Sequence, residues 1–272
     1  MIHIDHLKKS YDSFTLDCSL DIPKGIITGI IGMNGAGKST LFKSILDINP
    51  IDEGNIQIPD KQDIGVVLSE TGFSEFFTVS DIISILKCTY KRFDEDLFHS
   101  YCQRFDIPLD KKTRTFSTGM KAKLNIIIAL THHAKLLILD EPTAGLDVLT
   151  RDEILDILRD YMEQEDCTIL ISSHISSDLE SLCDDLYIID HGQIIMHEEM
   201  DTLLSQYGVL KVSKEDYENL DKDYLLEVMK EPFGYSCLTN VRQFYSENYP
   251  TIVIEQNHID TMIPILLKGE RL

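Results

Sequence analysis

The sequence predicts an α/β fold with a small C-terminal α/β appendage, and three patterns support this prediction. Residues 1–7 and 14–20 are short apolar runs separated by turn residues, which is typical of antiparallel strands. Residues 26–31, 136–139 and 168–172 are continuous apolar runs, each followed by a helical segment, as in a buried sheet covered by helices. From about residue 208, weak strand and helix signals alternate among many Tyr, Glu and Asp residues. We therefore expect a main domain at residues 1–207 and the appendage at residues 208–272.

The individual elements follow from the same periodicities. Residues 25–31 are predicted as the third of the N-terminal antiparallel strands, and their β-branched part, residues 26–31, suits a buried central position. The pattern then predicts a helix at 38–46, a strand at 66–68, a mainly helical stretch at 78–110, a helix through 124–130, a strand at 136–139, a helix at 151–164, a strand at 168–172, a helix starting near Ser176 and a hairpin joining 186–190 to 193–196. In the appendage, the weak signals lie at 209–212, 225–228, 251–255 and 258–267.

Composition and charge narrow the classes of partner. The 272-residue chain is 43% hydrophobic, as globular proteins are, and its formal net charge is −21. This acidity predicts no nucleic-acid partner, because binding to phosphate backbones needs clustered Lys and Arg. The six cysteines are scattered without a C-x-x-C pair, which favours reduced thiols in a cytosolic protein. We expect no signal peptide and, since no apolar stretch approaches roughly 18 residues, no transmembrane helix.

A glycine-rich loop lies between the strand at residues 26–31 and the helix at residues 38–46. Its sequence, Gly-Met-Asn-Gly-Ala-Gly-Lys-Ser at positions 32–39, fits the pattern G-x-x-x-x-G-K-[ST]. Glycines let successive backbone N–H groups point at a triphosphate, the lysine adds charge at the β- and γ-phosphates, and the serine hydroxyl is a Mg²⁺ ligand. The predicted nucleotide-binding residues are Asn34, Gly35, Ala36, Gly37, Lys38, Ser39 and Thr40, and Ser39 is also a predicted Mg²⁺ ligand. Taken alone, this loop would equally suit a GTPase, a kinase or a motor protein.

Two adjacent carboxylates, Asp140 and Glu141, follow the apolar run at residues 136–139. Neighbouring side chains on a strand point in opposite directions, so the two acids can have different tasks. Together with the phosphate loop, they predict that Asp140 binds Mg²⁺ and that Glu141 polarises the attacking water. A strand that ends in solvated acids is the alternative interpretation.

Five motifs follow one another in a fixed order: residues 32–40, Phe-Ser-Thr-Gly-Met at 116–120, residues 136–142, Ala-Gly-Leu-Asp at 144–147 and Ser-Ser-His at 172–174. Over about residues 1–200 the chain thereby resembles an ABC ATPase, which removes the GTPase, kinase and motor interpretations. The resemblance implies a P-loop NTPase core with an antiparallel β subdomain and a helical subdomain at about residues 72–130. It also implies ATP hydrolysis coupled to transport, with ATP and Mg²⁺ as cofactors.

The resemblance assigns further residues to the site. It implies that Tyr11 lies under the adenine ring and that His174 contacts the γ-phosphate. Ser117 and Gly119 lie in the signature motif, which in this family contacts the γ-phosphate bound to the opposite subunit, at the N-terminus of the helix that follows. Asp147 matches the aspartate that crosses the dimer interface.

Two departures from the family pattern stand out. The signature reads Phe-Ser-Thr-Gly-Met where the usual form is Leu-Ser-Gly-Gly-Gln, and variants that end in Gly-Met resemble those of drug and peptide exporters, so activity is expected to be intact. After the strand at residues 66–68, the family usually has a glutamine that touches Mg²⁺ and senses the membrane subunit. This chain has Ser69 there, followed by Glu70, which leaves two candidates for the contact with the metal.

The resemblance also implies partners. With one phosphate loop and one signature, two chains must meet head to tail around two nucleotides, as a homodimer or as a heterodimer with a second ATP-binding subunit. Transport would need separate transmembrane permease subunits, which place the chain in the cytoplasm, peripheral on the inner face of the cell membrane. The family docks on these subunits through the region at residues 72–110, where Phe73, Phe76 and Phe77 either form a docking surface or pack inside the helical subdomain.

Three functions stay open from the sequence. The first is the ATPase of an exporter for a peptide, an antibiotic or a lipid-like molecule. The second is an ABC ATPase that moves no substrate, such as an assembly or scaffold subunit. The third is a regulatory subunit that binds ATP but hydrolyses it poorly.

Overall fold

A computed structural model of the protein describes residues 2–68, 72–164, 166–255 and 258–271, the last of them by its backbone. Its strands are β1 (Ile2–Tyr11), β2 (Phe14–Ile22), β3 (Ile27–Ile31), β4 (Glu53–Gln57), β5 (Ile64–Val67), β6 (Leu136–Asp140), β7 (Thr168–Ser173), β8 (Asp185–Asp190), β9 (Gln193–Glu199), β10 (Gly208–Val212), β11 (Leu225–Glu231), β12 (Gly234–Thr239), β13 (Val253–Glu255) and β14 (Glu270–Arg271). Its helices are α1 (Lys38–Ile45), α2 (Val79–Thr89), α3 (Glu95–Arg104), α4 (Thr118–Leu130), α5 (Val148–Met162), α6 (Ser176–Leu182), α7 (Met200–Gln206), α8 (Lys214–Asn219), α9 (Arg242–Asn248) and α10 (Ile259–Lys268).

The N-terminal strands form a three-stranded antiparallel sheet in the order β2-β1-β4. The sequence of β2 alternates between buried and exposed positions, so Leu16, Cys18, Leu20 and Ile22 all point into the core. Two of the three predicted antiparallel strands are confirmed, and β4 was not predicted. The prediction for residues 25–31 was wrong, because β3 pairs in parallel with β7 in another sheet.

A second sheet of six strands has the order β5-β6-β7-β3-β8-β9. The strands β5, β6, β7 and β3 run parallel, and every residue of β3, β6 and β7 is buried. Continuous apolar sequences suit this position because both faces of such a sheet are covered. The carboxyl ends of β3, β6 and β7 therefore meet at one edge of the sheet, where ligands of open α/β sheets bind.

The region between β5 and β6 is helical, and side chains fix where its helices begin. The Thr78 hydroxyl accepts from the Asp81 N–H, and the Asp81 carboxylate accepts from the Thr78 N–H, which together cap α2. The Asp94 carboxylate accepts from the Leu97 N–H at the start of α3. The predicted helical stretch is thus two helices, and α4 begins earlier than the sequence indicated.

The chain divides into two compact units, and the second comprises residues 176–186 and 197–272. Its five-stranded antiparallel sheet has the order β13-β10-β12-β11-β14. The succession β10-α8-β11-β12-α9-β13, with β12 between β10 and β11, is the split βαβ arrangement of ferredoxin-like domains. The predicted α/β character of the C-terminal part is confirmed, and the boundary between residues 207 and 208 stays a prediction.

Gly65 lies where β5 passes closest to α4. A methyl group at Gly65 would lie 2.2 Å from the Ala129 carbonyl oxygen, which is rigid helix backbone. Gly65→Ala is therefore expected to lower the free energy of unfolding by about 1–3 kcal/mol, as overpacking of a core does. Urea unfolding measures this change. Gly72→Ala is the matched control because a methyl group there meets nothing within 4 Å. Equal unfolding midpoints for the two variants would contradict the prediction.

Candidate active site

The glycine-rich loop after β3 can be built only with glycine at several positions. Gly35 and Gly37 have φ angles of 86° and 117°, in the region that L side chains rarely adopt. A Cβ at Gly32 would lie 2.2 Å from the Ile189 carbonyl oxygen, and one at Gly37 would lie 2.9 Å from the Phe14 ring. The loop also leads directly into α1, whose N-cap is Gly37. Because these positions carry no side chain, the backbone N–H groups of the loop can contact an anion at the N-terminus of α1.

The turn between β8 and β9 supports the loop from one side. His191 and Gly192 both have positive φ angles, 43° and 81°, as a two-residue hairpin turn requires, so the predicted hairpin is confirmed. The Gly192 N–H donates to the Ala36 carbonyl at 2.8 Å, and the Asp17 N–H donates to the Gly192 carbonyl at 2.8 Å. The loop is thus held in place before any ligand binds.

Lys38 turns its ammonium group back over the loop. Its side chain is 7% exposed, and Nζ donates to the Gly32 carbonyl at 2.7 Å. The same nitrogen lies 3.5 Å from Glu141 Oε1. A buried ammonium so close to the open loop is a ready partner for phosphate oxygens.

The two predicted acids lie at the end of β6 with different surroundings. Asp140 is the last residue of the strand, is 1% exposed, and accepts from the Ser172 hydroxyl at 2.7 Å. Glu141 has a φ angle of 53°, and this left-handed backbone turns its side chain toward Lys38. The two acids thus occupy different environments, and neither of them is a solvated strand end. Their separate tasks, Mg²⁺ binding by Asp140 and polarisation of water by Glu141, stay predictions.

His174 meets Glu141 from the end of β7. Its Nδ1 lies 2.5 Å from Glu141 Oε2, and its backbone N–H donates to the same oxygen at 3.2 Å. Because a carboxylate only accepts hydrogen bonds, Nδ1 carries the proton in this contact. Lys38, Glu141 and His174 therefore form one continuous chain of ammonium, carboxylate and imidazole.

These groups line a cleft of about 390 Å³. The lining residues are Phe14, Met33, Asn34, Gly35, Gly37, Lys38, Ser39, Thr40, Glu141, Ala144 and His174. The structure thus brings the predicted nucleotide-binding loop together with the predicted catalytic residues Glu141 and His174. Phe14 was missed, and its only signal in the sequence was an aromatic residue at the start of a strand.

Tyr11 is not part of the cleft lining. Its side chain is about half exposed, and its hydroxyl accepts from the Asn49 amide at 3.1 Å. The rings of Tyr11 and Phe14 have centroids 6.3 Å apart. Its predicted role under the adenine ring stays a prediction, with Phe14 nearer to the loop.

Ser117, Gly119 and Asp147 also lie outside the lining of the cleft. Ser117 caps α4 by accepting from the Met120 N–H, and a Cβ at Gly119 would lie 2.9 Å from Thr150. Asp147 caps α5, and donation by the Thr150 backbone N–H holds the pKa of its carboxyl below the ordinary value. Thr150 therefore links Asp147 to Gly119, and Ser117 lies two residues before Gly119 at the start of α4. Ser69 and Glu70 lie outside the described residues.

Comparison with known proteins agrees with this geometry. A family model described as ABC transporter matches residues 16–144. The ABC transporter ATP-binding protein YtrB of Bacillus subtilis is 31% identical over 81% of this chain and 79% of its own length. The chain belongs to the family of ABC transporter ATP-binding proteins. Another member, the lantibiotic transport ATP-binding protein SrtF of Streptococcus pyogenes, is 35% identical over 74% of this chain and 92% of its own length.

The fold of this ABC protein agrees with that of a solved relative, the ATP-binding subunit of an ABC transporter. The two superpose with a TM-score of 0.68 over 76% of this chain and 92% of the other, at 24% identity. Membership of the family makes the chain an ATP hydrolase and the ATP-binding subunit of a transporter. No helix in the described ranges is both long and apolar enough to cross a bilayer.

The residues of this ABC cleft fit a magnesium nucleotide. Mg²⁺ prefers oxygen ligands and is commonly held by one or two carboxylates together with substrate phosphates. Ser39 and Asp140 offer a hydroxyl and a buried carboxylate of this type. Within the part of the chain that the structure describes, no three His, Cys, Asp or Glu side chains are grouped as metal ligands. A Mg²⁺ ion bound here would take its remaining ligands from the phosphates and from water.

Proposed function

We propose that this chain is one half of an ATP-closed, head-to-tail dimer that powers export through separate permease subunits. The observation that carries the proposal is the separation of two groups on one chain. Lys38, Glu141 and His174 line the cleft, whereas Ser117, Gly119 and Asp147 lie outside its lining. A second copy would bring its signature group to the open side of the cleft.

Exposed apolar side chains support a partner at this surface. Met33 on the phosphate loop is 61% exposed, and Val148 and Leu149 beside Asp147 are 69% and 77% exposed. Large apolar side chains grouped near functional residues are typical of surfaces that bind another protein. Two copies in head-to-tail contact would cover these side chains as they enclose the nucleotides.

Each residue of the cleft then has a role in hydrolysis. Lys38 and the loop N–H groups would bind the phosphates, and Ser39 and Asp140 would hold Mg²⁺, which would supply positive charge to the phosphates. As Lys38 turns to the phosphates, Glu141 loses the ammonium near Oε1 and becomes available to take a proton from water. His174 orients the Glu141 carboxylate through Oε2. Ser117 and Gly119 of the partner copy complete the γ-phosphate contacts.

A second cavity is our proposed docking place for the permease. It has a volume of about 360 Å³ and lies between β5 and the helical region, where Val66, Phe73, Ile85 and Tyr90 contribute to its lining. An apolar cavity of this kind suits the insertion of a short helix from a partner. Of the three phenylalanines Phe73, Phe76 and Phe77, Phe73 is the one that lines this cavity. This docking would hold the chain at the inner face of the membrane.

We also propose that the transported molecule is a peptide, an antibiotic or a lipid-like molecule. This proposal rests on the Gly-Met ending of the signature and on the similarity to SrtF, which is named for lantibiotic transport.

We further propose residues 1–207 as the ATPase domain, with its helical subdomain at about residues 72–130. Residues 208–272 are proposed as an appendage with a separate role.

Mixing two inactive variants tests the head-to-tail arrangement. Lys38→Met disables the cleft and leaves the signature intact, whereas Gly119→Asp disables the signature and leaves the cleft intact. In a mixed dimer, the intact cleft of one chain meets the intact signature of the other. An equimolar mixture should therefore recover up to about a quarter of the wild-type ATP turnover, since half of the dimers are mixed and each has one complete site.

Phosphate release, measured for each variant and for the mixture, tests whether two chains share the site. Each variant alone is expected to be nearly inactive. A mixture of Lys38→Met with Lys38→Met/Gly119→Asp is the control, because neither of its chains has a working cleft. If the test mixture is no more active than this control, the proposal of a site shared by two chains is wrong.

A further inference from the structure

Ser172, near the end of β7, contacts both acids at the end of β6. It lies on β7 directly opposite Asp140 on β6, and it is fully buried. Its hydroxyl donates to Asp140 Oδ1 at 2.7 Å and accepts from the Glu141 N–H at 3.1 Å. One side chain therefore contacts both acids, although it does not line the cleft itself.

The direction of these hydrogen bonds is fixed by chemistry. The Glu141 backbone N–H can only donate, so the Ser172 oxygen must accept from it. An ionised Asp140 carboxylate can only accept, so the single hydroxyl proton of Ser172 must point to Oδ1. With Asp140 ionised, the Glu141 N–H therefore donates to the Ser172 oxygen, and the Ser172 hydroxyl donates to Asp140.

This chain of hydrogen bonds restrains both acids. The Asp140 carboxylate cannot rotate without losing the hydroxyl donor at a buried site, which costs free energy. Glu141 has a left-handed backbone, and its N–H also donates to the Ser172 carbonyl at 3.2 Å. Ser172 thus contributes two acceptors that help to hold Glu141 in the left-handed conformation, which residues other than glycine rarely adopt.

The neighbouring Ser173 has a different task. Its hydroxyl oxygen accepts from the Ile175 N–H at 3.0 Å, two residues along the chain. The two serines are equally buried and lie on the same strand, but their side chains point to opposite faces of the sheet. Ser173 is therefore a matched control for the loss of a buried hydroxyl near the site.

We propose that Ser172 is a positioning residue, which orients Asp140 for the metal ion of the nucleotide complex. The inference rests on the proposed role of Asp140 in the Mg²⁺ site. Groups that hydrogen-bond to a metal-ligating carboxylate fix its orientation, and their loss weakens metal binding by roughly 10- to 100-fold. Because Ser172 is fully buried and does not line the cleft, its loss should not weaken binding of nucleotide without metal.

Metal binding can be measured without turnover. Mn²⁺ is titrated into the complex of the protein with ATP and followed by electron paramagnetic resonance, while ATP affinity in EDTA is measured separately. For Ser172→Ala, we expect Mn²⁺ affinity to fall about 10-fold or more, with ATP affinity in EDTA within about 2-fold of the wild type. Ser173→Ala should leave both affinities unchanged, and Ser172→Thr, which retains the hydroxyl, should recover Mn²⁺ binding.

An Asp140→Asn variant separates the two levels of the proposal. If Asp140→Asn loses Mn²⁺ affinity and Ser172→Ala retains it, the positioning role of Ser172 is overturned while the metal site stands. If Asp140→Asn binds Mn²⁺ as the wild type does, the proposed metal site fails and the role of Ser172 with it. An equal loss in the alanine variants of Ser172 and Ser173 also overturns the proposal, because it would indicate a general structural effect. Thermal unfolding of Ser172→Thr checks that its added methyl group is accommodated.

Discussion

Replacing Glu141 by glutamine is expected to slow ATP turnover by about two to four orders of magnitude, the usual contribution of a general base. The amide has nearly the same size as the carboxylate, so the backbone contacts of Glu141 with Ser172 can persist. It cannot take a proton from water, however, and the reaction then lacks its base. Phosphate release under saturating ATP and Mg²⁺ measures the loss.

The same variant should retain or improve its affinity for ATP. In the structure, the carboxylate lies 3.5 Å from the Lys38 ammonium, so it competes with incoming phosphates for that charge. Glutamine removes this competition and the repulsion between carboxylate and phosphate. ATP that binds without being hydrolysed should accumulate as the closed dimer, and light scattering with ATP and Mg²⁺ should detect a doubling of mass.

A suitable control is Glu163→Gln, which removes an exposed carboxylate at the end of α5 in the same unit. It should turn over ATP at the wild-type rate and stay monomeric during hydrolysis. A Glu141→Gln chain that keeps more than about a tenth of the wild-type turnover would rule out Glu141 as the general base. A monomer at saturating ATP would count against the proposed closed dimer.

The sequence predicted those parts of the site that depend on local structure. The strands β3, β6 and β7 are short, continuous apolar runs rich in Ile and Leu, and their length favours buried strands over helices. The glycine loop likewise dictates its own backbone, since Gly35 and Gly37 have positive φ angles. The place of His174 in the site followed only from the resemblance to ABC ATPases. In the structure it meets Glu141 because β6 and β7 run parallel and end at one edge of their sheet.

Contacts between distant segments could not be predicted in this way. Phe14 approaches Gly37 only because the N-terminal sheet packs over the loop, which no local pattern encodes. Ser172 was recognised as part of a motif, yet its position opposite Asp140 depends on the register between β6 and β7. In the second unit, β12 escaped prediction because Ser236 and Thr239 are polar although fully buried. Burial of such residues depends on partners elsewhere in the chain.

The second large effect is expected for Lys38→Met, which should weaken ATP binding by roughly 10- to 100-fold. Methionine keeps the length and the apolar stem of the side chain but lacks the ammonium group. Hydrogen bonds to charged groups contribute about 1.5–3 kcal/mol, which corresponds to that range of affinity. Fluorescent-nucleotide titration measures the change. Lys43→Met, on the same helix α1, controls for the loss of one positive charge and should bind ATP as the wild type does.

The nucleotide-free protein provides a second measure of the same contact. Without Lys38, the Gly32 carbonyl loses its donor and Glu141 loses the nearest cation, so the free energy of unfolding should fall by about 1–3 kcal/mol. Part of this loss comes from the carboxylate that is left behind, and Glu141→Gln removes that charge. The double variant should therefore be more stable than the sum of the two single effects predicts. If the two single changes in the free energy of unfolding add to within about 0.5 kcal/mol, Lys38 and Glu141 are not coupled. The proposed competition between Glu141 and the phosphates for Lys38 would then be wrong.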